Sequence, residues 1–155
     1  MRQSILRYFI SLLLVSLCIC SATSIFIISG SMKEDSEREM MYSVKLIEYN
    51  LDYSGDLNKQ IETLNPLAFS DDTRISVIDE KGKVLADTYK DDISSNHIKR
   101  EEVQEALHSS NHEGYAMRRS ETTNQTLLYA AYYKDTHIIR LSIPYSGVWG
   151  YFPEL

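Results

Sequence analysis

From Tyr8 to Ile28 the 155-residue chain carries no charged side chain, reading YFISLLLVSLCICSATSIFII. Coiled as an α-helix at about 1.5 Å per residue, that run reaches roughly 31 Å, the thickness of the hydrocarbon core of a bilayer. Cleaved signal peptides have shorter apolar regions of about 7–15 residues. The length therefore favours an uncleaved anchor, and the small-x-small pattern of Ser29-Gly30-Ser31 keeps cleavage as the alternative.

The flanks of the run orient it. Arg2 and Arg7 precede it, and KEDSERE follows it. The positive-inside rule then makes residues 1–7 cytoplasmic, 8–30 the transmembrane helix with membrane lipid around it, and 31–155 extracytoplasmic in a cell membrane. Fourteen basic and all 22 acidic residues lie in that outer part, a net charge of −8. Such a balance argues against nucleic acid and anionic head groups as its partners. Cys18 and Cys20 both fall inside the run, point in different directions on a helix and leave the outer part without a thiol. Ser16, Cys20 and Ser24 form a small-xxx-small row along which two membrane helices could approach.

Residues 33–51 lack glycine and proline and place Met40, Val44, Ile47 and Leu51 at spacings of 4, 3 and 4, a helical apolar stripe. The stripe either packs on the domain's own sheet or forms the signalling seam of a parallel homodimer. Asp56 caps a shorter helix, LNKQIETL, which Asn65-Pro66 stops. RISVIDEKGKVLADT (74–88) reads as a hairpin, with Gly82 supplying the positive φ of its turn. REEVQEALHSS gives a third helix with an acidic first turn that suits the helix dipole. Three strands follow at 115–121, 125–133 and 137–145, the last alternating Ile139, Leu141 and Ile143 inward with Arg140 and Ser142 outward. The expected fold is α+β: a transmembrane helix continuing into a long juxtamembrane helix, then a five-stranded antiparallel sheet with flanking helices.

In this order the apolar run, the amphipathic helix, VIDEKGKVLADT, NHIKREEVQEAL, a strand containing RRSET, and LLYAAYY resemble one family. That family is the extracytoplasmic PAS-like sensor region, of PDC or Cache type, of PhoR-type membrane sensor histidine kinases in Gram-positive bacteria. The resemblance covers the chain to about Tyr145, so 31–145 is the expected sensor domain. Glu101 stands where the family usually opens the third helix with proline, a position a first-turn glutamate also suits. The family continues through a second membrane helix to a kinase domain, the partner of a response regulator. The aromatic segment 146–155, SGVWGYFPEL, accordingly reads as the lead into a second span, with the chain a truncated input half.

No catalytic constellation is present in the sequence, and no cofactor is implied. His108 and His112 have the spacing of helical metal ligands, but Ser109-Ser110-Asn111 ends the helix between them, so no metal site is expected. Asp71-Asp72 and Asp91-Asp92 read as solvated loop pairs. PAS-like folds take ligands between the sheet and its covering helix-loop segment, which makes Tyr115, Arg118, Tyr129 and Tyr132 (or its neighbour Tyr133) the candidate ligand-binding residues. Arginine offers paired donors to a carboxylate or phosphate, and tyrosine an apolar wall with a polar tip. The partner is then a small molecule or an envelope component. The other readings are an envelope-binding module without a kinase, or the same ectodomain on a chemoreceptor or cyclic-dinucleotide enzyme.

Overall fold

The computed structural model describes residues 2–68, 70, 72–89, 96–120 and 124–146, which fall into two units, 2–34 and 35–146. The aromatic segment from 147 onward, Asp71 and the Asp91-Asp92 pair lie outside the described residues. One helix, α1 (Arg2–Asn50), carries the uncharged run. It is long and apolar enough to span a membrane, with a mean hydropathy of 2.4 over its most apolar 18-residue window and none of that window buried. Hydroxyls in the run turn back on the helix: Thr23 Oγ1 donates to the Ile19 and Cys20 carbonyls, and Ser11 Oγ to that of Tyr8. At these positions the hydroxyl hydrogen is taken up by the helix's own backbone.

Residues 35–146 form an α+β domain. After α1 come α2 (Leu57–Leu64), a single 3-10 turn (Asn65–Leu67), β1 (Arg74–Asp79), β2 (Val84–Asp87), α3 (Glu101–His108), β3 (Glu113–Arg119), β4 (Thr126–Lys134) and β5 (His137–Pro144). Asp56 caps α2 as expected, its side chain accepting from the Lys59 amide. The sheet runs β2-β1-β5-β4-β3, antiparallel throughout, so the last strand lies between the first strand and the fourth. At the hairpin turn Gly82 has φ 83°, and a Cβ there would strike the Ile98 amide and the Asn96 side chain. Those residues belong to the segment that returns over the turn, where His97 donates its amide to the Gly82 carbonyl at 2.7 Å.

Alternation along the strands divides the sheet into two buried faces. Ile75, Val77, Ala86, Leu128, Ala130, Ile139, Leu141 and Ile143 gather with Met40, Val44 and Ile47 of α1 and Ile61 of α2. The helical stripe thus packs on its own sheet: Met40, Val44 and Ile47 are fully buried, and Leu51 is half-buried at the margin. Each such side chain contributes about 1.5–3 kcal/mol on burial. Glu48 to Lys134 Nζ at 2.8 Å and Lys45 Nζ to Glu113 at 2.5 Å tie α1 to β4 and β3 at its edges.

The opposite face is covered at one end by α3, where Ile78, Val84, Val103, Ala106, Ala131 and Ile138 form a second, smaller core. Gly114 sets how closely α3 approaches. A Cβ on it would collide with the Glu102 carbonyl oxygen and the Ala106 amide nitrogen, so the helix backbone lies directly on β3.

Candidate functional site

Beside that second core, the same face of the sheet turns polar. In the phase of alternation that faces α3, β1 presents Arg74 and Ser76, β5 presents Arg140 and Ser142, β4 presents Tyr129, and β3 presents Arg118. Register sets Ser76 beside Arg140, and Tyr129 beside both Ser142 and Ala116. Above them the first turn of α3 lowers Glu102, wholly buried, onto the arginines.

Glu102 is the hub. Arg118 donates to it from both terminal nitrogens, Nη1 to Oε2 at 2.6 Å and Nη2 to Oε1 at 3.0 Å, the fork-to-fork geometry of strong charge-assisted pairs. Arg140 Nη1 reaches Glu102 Oε1 from the other side at 3.5 Å, while its Nη2 donates to Ser76 Oγ at 3.0 Å. Ser76 passes the relay on, donating to Asp87 Oδ2 at 2.7 Å, and Asp87 also accepts from Arg74 Nε and Nη2 at 2.8 and 2.9 Å. Both guanidinium groups lie over the Tyr129 ring, Arg118 Cζ 3.7 Å and Arg140 Cζ 5.7 Å from its centroid, and its electron-rich face favours cations.

The protonation states follow from these contacts. Burial alone would raise the Glu102 pKa, but the hydrogen bonds and charge of Arg118, with Arg140 behind it, outweigh burial and hold the carboxyl below its ordinary value. Burial lowers the Arg118 pKa, and Glu102 more than restores it. Arg140 moves the other way: desolvation pulls it down, with Arg74 adding to the effect and Glu102 and Asp87 only partly opposing it. Arg140 Nε is buried and has no hydrogen-bond partner among the described residues.

Of the residues singled out in the sequence, the structure brings Arg118 and Tyr129 together here. Tyr115 and Tyr132 lie on the other face, against the α1-side core, so the four do not form one site. Tyr115 donates its hydroxyl to Glu113 Oε2 at 3.0 Å, and burial together with that carboxylate raises its pKa. Tyr132 lies under Lys45 Nζ, 5.2 Å from the ring centroid, and Tyr133 packs at the edge of the second core. His108 ends α3, whereas His112 lies beyond it at φ 59°, so the two do not share a helical face.

Arg140 and Ser142 correct the sequence reading. They do point away from the α1-side core, yet they are buried, and over Arg140 it is Glu102 of α3 that closes that side. In the sequence, Glu102 marks only a favourable charge at a helix start. The signal available for the site is phase: Arg74, Ser76, Arg140 and Ser142 all occupy one alternation parity in paired strands.

No protein-family model and no curated protein matches the chain. Solved structures do. A methyl-accepting chemotaxis protein from Vibrio parahaemolyticus is 16% identical with a TM-score of 0.55, over 78% of this chain and 96% of that one. The ligand-binding domain of the Campylobacter jejuni chemoreceptor Tlp3, in complex with 4-methylisoleucine, is 17% identical with a TM-score of 0.53, over 77% of this chain and 55% of that one. The Bacillus subtilis YkuI protein, with an EAL domain, is 16% identical with a TM-score of 0.53, over 83% of this chain and 36% of that one. The chain spans only about a third to a half of the YkuI and Tlp3 chains it matches. At these identities what is shared is the fold, one that the Tlp3 ligand-binding domain, the Vibrio chemotaxis protein and YkuI have in common with this chain.

Proposed function

We propose that the chain is the signal-input region of a two-component membrane histidine kinase, sensing an extracellular or envelope stimulus outside the membrane. The observation that carries this reading is that a single helix, α1, contains both the uncharged run and the Met40-Val44-Ile47 stripe packed on the sensor sheet. A stimulus that favours one packing of the sheet on α1 over another biases the helix that enters the membrane. In this reading the N-terminus is cytoplasmic, the chain has no catalytic role of its own, and the kinase core and its response regulator lie downstream. Chemoreceptor and EAL proteins share the fold, so the fold leaves the output open; the kinase assignment is supported by the resemblance of the residue blocks from Val77 to Tyr133.

The parallel dimer belongs to the same proposal, with its seam moved. Because the sheet occupies Met40, Val44 and Ile47, the second copy meets the other side of α1. There Tyr42, Leu46 and Tyr49, spaced 4 and 3 apart, are 69%, 46% and 82% exposed. Two copies anchored by the same helix in one bilayer present this stripe to each other in register.

The gene itself offers the direct test. Codons after Leu155 that encode a second apolar segment and a kinase core support the reading. A stop codon there, with no kinase or response-regulator gene beside it, would replace it with an envelope-binding module.

A further inference from the structure

Glu102 occupies the position an anionic ligand would take, between two guanidinium groups on a ligand-domain fold. We propose that Arg118 and Arg140 form a carboxylate-binding site kept filled by the protein's own Glu102, and that a small carboxylate binds by taking its place. The inference rests on the sensor reading for its purpose and names the ligand class of that sensor; its chemistry stands on the contacts alone.

Arg140 supplies the first argument. A guanidinium has five N–H donors. Among the described residues Arg140 directs one nitrogen to Ser76 and reaches Glu102 only at 3.5 Å, and its buried Nε donates to nothing. A purely structural ion pair gains most when each buried donor is met, and apolar residues of similar volume would hold α3 at lower desolvation cost. The arrangement instead leaves one arginine closed on Glu102 and the other underused.

The second argument is access. The side chains of Glu102 and Arg140 are 0% and 4% exposed, whereas that of Arg118 is 26% exposed, so solvent reaches the cluster over Arg118. The Tyr129 ring beneath Arg118 makes a flat wall for a planar group. The third argument is chemical class. The group already present is a carboxylate gripped by two parallel hydrogen bonds, and a ligand carboxylate reproduces both its charge and its two coplanar oxygens. Exchange leaves the charge between the arginines unchanged and frees the Glu102 side chain, while the close backbone approach to Gly114 still seats the helix on β3.

The test uses the full chain in phosphatidylcholine nanodiscs with 15N-labelled arginine, and acetate as the probe at constant ionic strength. The Arg140 Nε–Hε resonance should shift saturably with acetate in the unaltered chain, so the result does not depend on any variant folding. Glu102→Gln should bind acetate at least tenfold more tightly, and Arg140→Lys should lose the saturable shift at Arg118. An Arg140 resonance that acetate leaves unmoved, both in the unaltered chain and in Glu102→Gln, would overturn the site. Phosphate binding more tightly than acetate would overturn the carboxylate class. Acetate binding by a chain whose gene lacks any kinase would leave this inference standing and remove the kinase reading; a kinase whose input domain ignores acetate would do the reverse.

Discussion

Arg118 and Glu102, 16 residues apart, are joined by two hydrogen bonds of 2.6 and 3.0 Å that fasten α3 to β3. The two members of the pair are not equivalent. Removing Glu102 takes the paired carboxylate from Arg118 and leaves Asp87 to oppose the burial of Arg140, whereas removing Arg118 leaves Glu102 still facing Arg140. Glu102→Gln should lower the unfolding free energy by about 3–5 kcal/mol, the range for breaking a buried pair from one side. Arg118→Gln should cost less, since the Glu102 carboxylate then still faces the Arg140 guanidinium. Urea denaturation of the detergent-solubilised chain at pH 7 checks the order, and an Arg118→Gln loss equal to or larger than that of Glu102→Gln contradicts it.

Acid should weaken the same contact. The Glu102 pKa in the folded state lies below its ordinary value of 4.5. The ion pair's contribution is therefore complete above about pH 4.5 and is lost as pH falls through the lower folded value. The melting temperature should fall more steeply below pH 4.5 in the unaltered chain than in Glu102→Gln, where this carboxylate no longer titrates. Parallel curves would show that Glu102 is not held ionised by the arginines.

Gly114→Ala should dislodge α3 rather than unfold the sheet, because the added Cβ meets helix backbone that cannot rotate aside. The expected cost is about 1–3 kcal/mol, as for overpacking elsewhere. Amide exchange should quicken in Glu101–His108 while β1 and β5 keep their protection. At Gly30 nothing lies within 4 Å of the point where an added methyl group would stand, so Gly30→Ala should leave both readouts unchanged.

The two sides of α1 should answer differently to substitution. Ile47→Ala opens a fully buried position and should cost about 2–5 kcal/mol. Tyr49→Ala alters an exposed one and should stay within about 0.5 kcal/mol. In membranes, with Cys18 and Cys20 replaced by Ala, Tyr42→Cys and Tyr49→Cys should give disulfide-linked dimers on oxidation, and Val44→Cys should not. Cross-linking at Val44 alone would return the seam to the sheet-facing stripe.

Local chemistry made most of the fold legible in the sequence. The uncharged run, the 4-3-4 stripe of Met40, Val44, Ile47 and Leu51, the Asp56 cap and the Gly82 turn each carry their own instruction, and each element formed near its expected bounds. Arg118 and Tyr129 were reachable because residue type and an expected fold sufficed to select them. Glu102 and Arg140 were not, because their meaning comes from residues 38 apart that meet only when α3 is laid on β3 at Gly114. Alternation in β5 marked Arg140 as facing away from one core, and nothing local to the strand says that a helix covers the other side. The separation of Tyr115 and Tyr132 from Arg118 is likewise a matter of strand parity, which tyrosine's indifference to burial conceals.

The most direct measurement of the central claim is autophosphorylation in membranes that carry the gene product read through past Leu155. Label should appear on the protein from radiolabelled ATP, and Glu102→Gln, assayed below its melting temperature, should change the incorporation several-fold by releasing α3 from the arginines. No incorporation, or equal incorporation in the unaltered protein and Glu102→Gln, would contradict the account.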